Sequence, residues 1–241
     1  MKVVILAAGR GSRMGVLTSD SPKCLTKIGQ VSLLSHQLSA LKNAGMNEIS
    51  IVRGYKAEMI NPDNVALITN NRWASTNMVS SLLVAEDWVG DSDVIVAYSD
   101  ILYTSKIISE LSIMTDDLVV ASNQNWLHDW QKRFANPLED LETFKVGASG
   151  SLLEIGGKPE NLSEIEGQFM GLIKLSCAGW HSFLKFIKSN ESDKVDKLDM
   201  TSTLSLYIAS GAIVKVLDIY EPWFEFDSES DLRSYLKLNN A

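Results

Sequence analysis

Leu6-Ala7-Ala8-Gly9-Arg10-Gly11-Ser12-Arg13-Met14-Gly15 closes an apolar run that begins at Lys2. Val3, Val4 and Ile5 passing directly into a glycine-rich turn predict a buried strand whose C-terminal end frees backbone N–H groups to face an anion. Two familiar glycine patterns do not fit. A dinucleotide fingerprint needs glycine where Met14 stands, and a Walker loop needs a GK[ST] that this stretch lacks. Charge agrees with an anion site. Residues 1–30 hold Lys2, Arg10, Arg13, Lys23 and Lys27 against Asp20, a local surplus of four in a chain whose net charge is −8. Such acidity disfavours a nucleic-acid partner, and a small basic island suits a small polyanion.

Working outward, short apolar runs alternate with amphipathic ones. Lys2–Ala7, Glu48–Arg53, Val65–Thr69, Asp93–Ala97 and Leu118–Ala121 predict strands covered on both faces. Ser32–Ala44 predicts a helix with Leu34, Leu38 and Leu41 on one face and Gly45 just beyond its end. A second helix is expected over Asn77–Trp88, with Thr76 or Ser75 as N-cap. Gln168–Ser176 and Ala212–Asp218 read as further strands, and helices are expected near Gly179–Ser189 and Thr201–Ser210. This alternation predicts an α/β fold, a Rossmann-like three-layer sandwich around a central mixed, mostly parallel sheet. With no repeat or linker, residues 1–241 read as a single domain, with a nucleotide-binding half to about residue 122 and an acceptor-binding half over 123–241.

No apolar run reaches the roughly 18 residues of a membrane span, so no membrane partner is expected. The first apolar stretch is too short for a signal peptide and enters the loop without a cleavage signal. With Cys24 and Cys177 as free thiols, the expected location is cytoplasmic. His36, His128 and His181 show no metal-ligand spacing and read as structural or surface groups.

The loop does not stand alone. Ser19-Asp20-Ser21-Pro22-Lys23-Cys24-Leu25 follows it, and the pair resembles L-A-A-G-x-G-[ST]-R-[ML] and S/T-x-x-x-P-K-x-L of the nucleotidyltransferases that make sugar nucleotides and CDP-alcohols. Arg13 can offer a forked donor to a leaving pyrophosphate, and Lys23 a mobile point charge near the α-phosphate. The resemblance assigns catalysis to these two and nucleotide binding to Leu6, Ala7, Ala8, Gly9, Gly11 and Ser12. It also implies Mg²⁺ held by Asp100, at the end of the Val94–Ser99 run, and by Asp227 in Trp223-Phe224-Glu225-Phe226-Asp227. Glu225 is the substitute should Asp227 prove to be a helix cap.

Asn70-Asn71-Arg72-Trp73-Ala74-Ser75-Thr76-Asn77-Met78-Val79-Ser80-Ser81 resembles the phosphocholine-cytidylyltransferase branch, and Gly54-Tyr55 matches its short G-Y element. That resemblance adds Tyr55, Asn71, Thr76, Asn77 and Ser80 to the nucleotide side. On the acceptor side stand Trp126, Trp130, Arg133, Glu142, Glu166 and Gln168, because aromatic faces and carboxylates suit an ammonium and Arg133 a phosphate. Together these imply a Mg²⁺-dependent transfer of CMP from CTP to a small phosphate or phosphonate monoester of phosphocholine, aminoalkylphosphonate or phosphoglutamine type. Pyrophosphate leaves, and the product serves surface polysaccharide or lipid decoration. A sugar-1-phosphate enzyme using UTP, dTTP or GTP is the alternative of the same chemistry, and an inactive nucleotide-sensing module the alternative of another class. A homodimer is compatible with the sequence.

Overall fold

Alternate residues of the first strand, β1 (Lys2–Ala7), enter opposite layers. Val3, Ile5 and Ala7 join one apolar cluster, Val4 and Leu6 the other. The continuous apolar run is thus a strand with helices on both faces. The computed structural model describes residues 1–239. Along the chain follow a ribbon of β2 (Lys27–Ile28) and β3 (Val31–Ser32), then α1 (Leu33–Asn43), β4 (Glu48–Arg53) and β5 (Ala66–Thr69). Next come α2 (Met78–Leu83), α3 (Glu86–Val89), β6 (Val94–Tyr98), β7 (Ile101–Tyr103), α4 (Ser105–Ser112), β8 (Leu118–Asn123) and α5 (Trp126–Arg133). The chain ends through a hairpin of β9 (Phe144–Val146) and β10 (Leu152–Ile155), then β11 (Gln168–Leu175), α6 (Cys177–Lys188), α7 (Ser192–Val195), α8 (Met200–Ala209), β12 (Lys215–Ile219), β13 (Trp223–Glu225) and α9 (Glu229–Asn239).

The main sheet has seven strands in the order β12-β8-β11-β6-β1-β4-β5. Its pairings are parallel except where β11 runs antiparallel to β6 and β8. One core cluster takes Leu34, Leu38 and Leu41 of α1 and Ile107, Ile108 and Leu111 of α4. The other takes Val79 and Leu82 of α2, Trp180 and Phe183 of α6 and Leu204 of α8. The expected α/β three-layer arrangement around a mixed, mostly parallel sheet is therefore present.

Two local expectations are corrected. The helix expected over Asn77–Trp88 is two pieces, because Ala85 N–H donates to Leu82 O and tightens the turn between α2 and α3. Its N-cap is Asn77, whose Oδ1 accepts from Met78 N at 2.8 Å, and not Thr76 or Ser75. Asn70 causes the shift. Its amide donates to Thr76 Oγ1 and Ser81 Oγ, each at 3.0 Å, and winds residues 72–76 into a turn before the helix can begin.

Candidate active site

The carboxyl ends of β1 and β6, with the turn before α2, surround a cavity of about 310 Å³. In open α/β sheets this end of the strands is where ligands enter. Leu6, Ala8, Gly9, Gly11, Ser12, Arg13, Lys23, Thr76, Asn77, Asp100 and Asp227 line it. Residues more than 200 positions apart thus meet in one cleft. The loop keeps its path through two glycines. Gly11 has φ +68°, and a Cβ there would stand 2.7 Å from Lys23 Cδ. A Cβ on Gly54 would meet Trp73 Cβ at 2.5 Å and Ala8 O at 2.7 Å.

Lys23 follows Pro22, whose ψ of 144° keeps the chain extended until a single 3-10 turn over Lys23–Leu25. The turn buries the lysine stem and aims Nζ between two carboxylates, 2.7 Å from Asp100 Oδ2 and 2.7 Å from Asp227 Oδ1. Burial works against its charge, but Asp100 and Asp227 outweigh that and raise its pKa. Arg13 reaches Asp227 Oδ1 at 3.1 Å while remaining largely exposed. Asp100 Oδ1 is buried and has no hydrogen-bond partner among the described residues. Glu225 lies behind this pair, where burial and then the charges of Asp227 and Asp100 push its pKa up to about 8. Cys24, beside Lys23, is buried and its thiol is pushed up to about 12, so it packs as an apolar group.

Asp227 does not cap α9. Its own N–H and that of Ser228 donate to Asp231 Oδ2, at 3.0 and 2.8 Å. Asp231 Oδ1 in turn accepts from Arg133 Nε at 2.8 Å. Arg133 is buried between the rings of Trp130, Phe134 and Phe224 and stands 3.6 Å from Glu225. It therefore braces the segment that carries Asp227.

The remaining sequence candidates lie as follows. Ala7 packs into the core layer on the other face of β1. Tyr55 stands behind the cavity wall, with its N–H on Ala8 O, its hydroxyl on Ser19 O at 2.6 Å and its ring edge against Trp73. Asn71 is exposed outside the cavity, and Ser80 turns away to donate to Asp196. Trp130 is buried, stacked on Trp223 at 5.9 Å, and Trp126 packs beside the same core. Gln168 clamps the backbone of Glu142, donating to its carbonyl at 2.6 Å and accepting from its N–H at 3.4 Å. Glu166 is exposed and accepts from Val146 N. Burial and then the charge of Asp199 raise the pKa of Glu142.

Trp73, Met78, Ser81, Tyr98 and Ser99 line the cavity without having been singled out in the sequence. Asn77 and Ser81 stand four positions apart and so share one helix face, which is the signal that could have found Ser81. Tyr98 is half-buried. Burial raises its pKa first, then the charges of Asp100, Glu225, Glu142 and Asp199.

Residues 3–154 match the MobA-like NTP transferase domain. A CTP:phosphoglutamine cytidylyltransferase of Campylobacter jejuni is 34% identical over 96% of this chain and 98% of its own. A choline-phosphate cytidylyltransferase of Streptococcus pneumoniae is 36% identical over 39% of this chain and 43% of its own. Among solved structures, the inositol-1-phosphate CTP transferase from T. maritima superposes with a TM-score of 0.78 at 18% identity, covering 98% of this chain and 96% of that one. The CTP:phosphocholine cytidylyltransferase from Streptococcus pneumoniae gives 0.72 at 20%, covering 99% and 98%. On sequence and on fold together, the chain belongs to the MobA-like NTP transferase family and is a nucleotidyltransferase.

Proposed function

We propose that the protein transfers CMP from CTP to a small acceptor carrying a phosphate or phosphonate and an ammonium group, releasing pyrophosphate. The observation that carries this reading is the Lys23 Nζ held 2.7 Å from both Asp100 and Asp227 at the cavity floor. A lysine bridging two carboxylates stands where triphosphate charge must be met, and it makes the free site nearly neutral. A relative matched over 96% of the chain is a CTP:phosphoglutamine cytidylyltransferase, which supports CTP over the sugar-1-phosphate alternative.

The donor set fits Mg²⁺. Asp100 and Asp227 supply carboxylate oxygens from distant segments, Glu225 stands behind them, and Asp100 Oδ1 is a buried acceptor with no partner among the described residues. Asp100 and Asp227 would hold the cation, which would supply neutralisation of the phosphate charge. The chain's own residues do the rest. Trp73, Asn77 and Ser81 seat the base and ribose against the small Ala8–Gly9 backbone. Lys23 is freed from the carboxylates to face the α-phosphate, and Arg13 meets the leaving pyrophosphate. An acceptor oxygen attacks the α-phosphorus as the bond to the β-phosphate oxygen breaks. No general base is required, because a phosphate monoester, with a second pKa of about 6, is already largely dianionic at pH 7. Glu142 and Asp199, whose charges also act on Tyr98, supply the negative charge that an ammonium would face.

The test is incubation of the protein with Mg²⁺, each nucleoside triphosphate and a panel of phosphocholine, 2-aminoethylphosphonate, phosphoglutamine and sugar 1-phosphates, followed by product mass. A CDP-linked amine is expected. A sugar nucleotide as the sole product would overturn the reading.

A further inference from the structure

We propose that Asp91, Cys177 and His181 form a second metal site, for a borderline-soft divalent ion such as Zn²⁺, at the opposite end of β6 from the nucleotide cavity. Cys177 is the first residue of α6 and His181 lies one turn later, so both project from the same helix face. Asp91 sits in the turn after Gly90 that leads into β6. One ligand atom from each residue lies within 4.8 Å of the others. His181 Nε2 and Asp91 Oδ1 are 2.8 Å apart. Around tetrahedral Zn²⁺, with bonds of about 2.0 Å to N or O and 2.3 Å to S, neighbouring donors stand about 3.3–3.5 Å apart. The His181–Asp91 spacing is shorter than that value and every other donor pair is within 4.8 Å, so side-chain rotations suffice to close the site.

The backbone beneath the three residues is fixed. Cys177 N donates to Asp93 Oδ1 at 2.8 Å, and Ser176 caps the helix by accepting from Gly179 N. The two turns are thus already held together, and an ion between them orders little more than three side chains. Ligation takes the Cys177 thiol as its thiolate, the proton passing to solvent, and a water completes four-coordination. A thiolate and an imidazole select Zn²⁺ or Co²⁺ and leave Mg²⁺ to the all-oxygen carboxylates at Asp100. The five residues of β6 at about 3.3 Å each put about 17 Å between the two places, so occupancy here leaves the nucleotide cavity open. A Cys-x-x-x-His helix spacing is the sequence signal. A search for histidine pairs passes over it.

The experiment uses chelator-treated protein with excess Mg²⁺ present, titrated with Co²⁺ and read by its thiolate charge-transfer and d–d absorption. The expected result is one equivalent with both features. Cys177→Ser should lose the charge-transfer band and His181→Ala should weaken binding at least about tenfold, each with wild-type unfolding behaviour in chelator and unchanged turnover in Mg²⁺. Zn²⁺ should displace the Co²⁺ and protect Cys177 from alkylation in the wild type, a readout that needs no variant to fold. Absence of the band in wild type, its persistence in C177S, or alkylation of Cys177 at an unchanged rate in Zn²⁺ would overturn the assignment.

Discussion

Replacing Asp231 with asparagine removes the charge that holds both Arg133 and the segment bearing Asp227. Asp231 accepts from Arg133 Nε, Asp227 N and Ser228 N at 2.8, 3.0 and 2.8 Å, and both it and the Arg133 side chain are almost fully buried. Breaking one partner of a buried pair costs about 3–5 kcal/mol, because the other charge is left without compensation. Asparagine keeps one acceptor oxygen and Glu225 remains 3.6 Å from Arg133, which places the expectation near 3 kcal/mol. For a chain of this size each kcal/mol lowers the unfolding midpoint by about 2–4 °C, so a fall of roughly 6–12 °C is expected by calorimetry. The pH dependence fixes the sign. Burial opposes the charge of Asp231, but Arg133 and Ser228 hold its pKa below the usual 3.8. Its contribution is therefore present above about pH 3.8 and lost as pH falls through the lowered folded value. The deficit of D231N should accordingly shrink in acid. Turnover should fall more than stability predicts, because Asp227 loses its backbone anchor. A variant within 1 kcal/mol of wild type at pH 7 with intact turnover would refute the brace.

Three further outcomes follow from the same geometry. Lys23→Met should weaken CTP binding about 10- to 150-fold in calorimetric titration, the loss of a charge-assisted contact worth about 1.5–3 kcal/mol. Gly54→Ala should destabilise by about 1–3 kcal/mol and weaken nucleotide binding, since its Cβ meets Ala8 O, a backbone atom, at 2.7 Å. Glu142→Gln should raise the unfolding midpoint at pH 7 and leave it unchanged near pH 4. Burial and Asp199 raise the pKa of that carboxyl, so its ionisation opposes folding once pH exceeds the unfolded value.

Much of the fold is legible in the chain because both-face burial leaves a simple trace. β1, β4, β6 and β8 are apolar runs ending at Gly, Asp or Asn, and α1 carries both its leucine stripe and its closing Gly45. The cap at Asn77 was hidden because it depends on Asn70 reaching forward to Thr76 and Ser81, a side-chain contact with no periodic signature. The short strand pair β7–β13 was hidden too. It joins residues more than 100 positions apart through three residues each, and it is this pair that sets Glu225 and Asp227 beside Asp100. Of the cavity, the charged residues stood out because Arg, Lys and Asp at strand and loop ends are chemically conspicuous. Trp73, Tyr98 and Ser81 reach it by turn geometry and helical phase. Arg133 carried the right chemistry for a phosphate, yet the fold spends its charge on Asp231 and Glu225.

The most direct test of the account is turnover and CTP affinity measured together in Asp100→Ala. The structure places that carboxylate 2.7 Å from Lys23 Nζ in the wall of the cavity that Trp73 and Asn77 also line. Pyrophosphate release should fall by about 10²–10³ or more, as for loss of a group acting on transition-state charge, while CTP still binds. Unchanged turnover would contradict the assignment of Asp100 to the reacting phosphates.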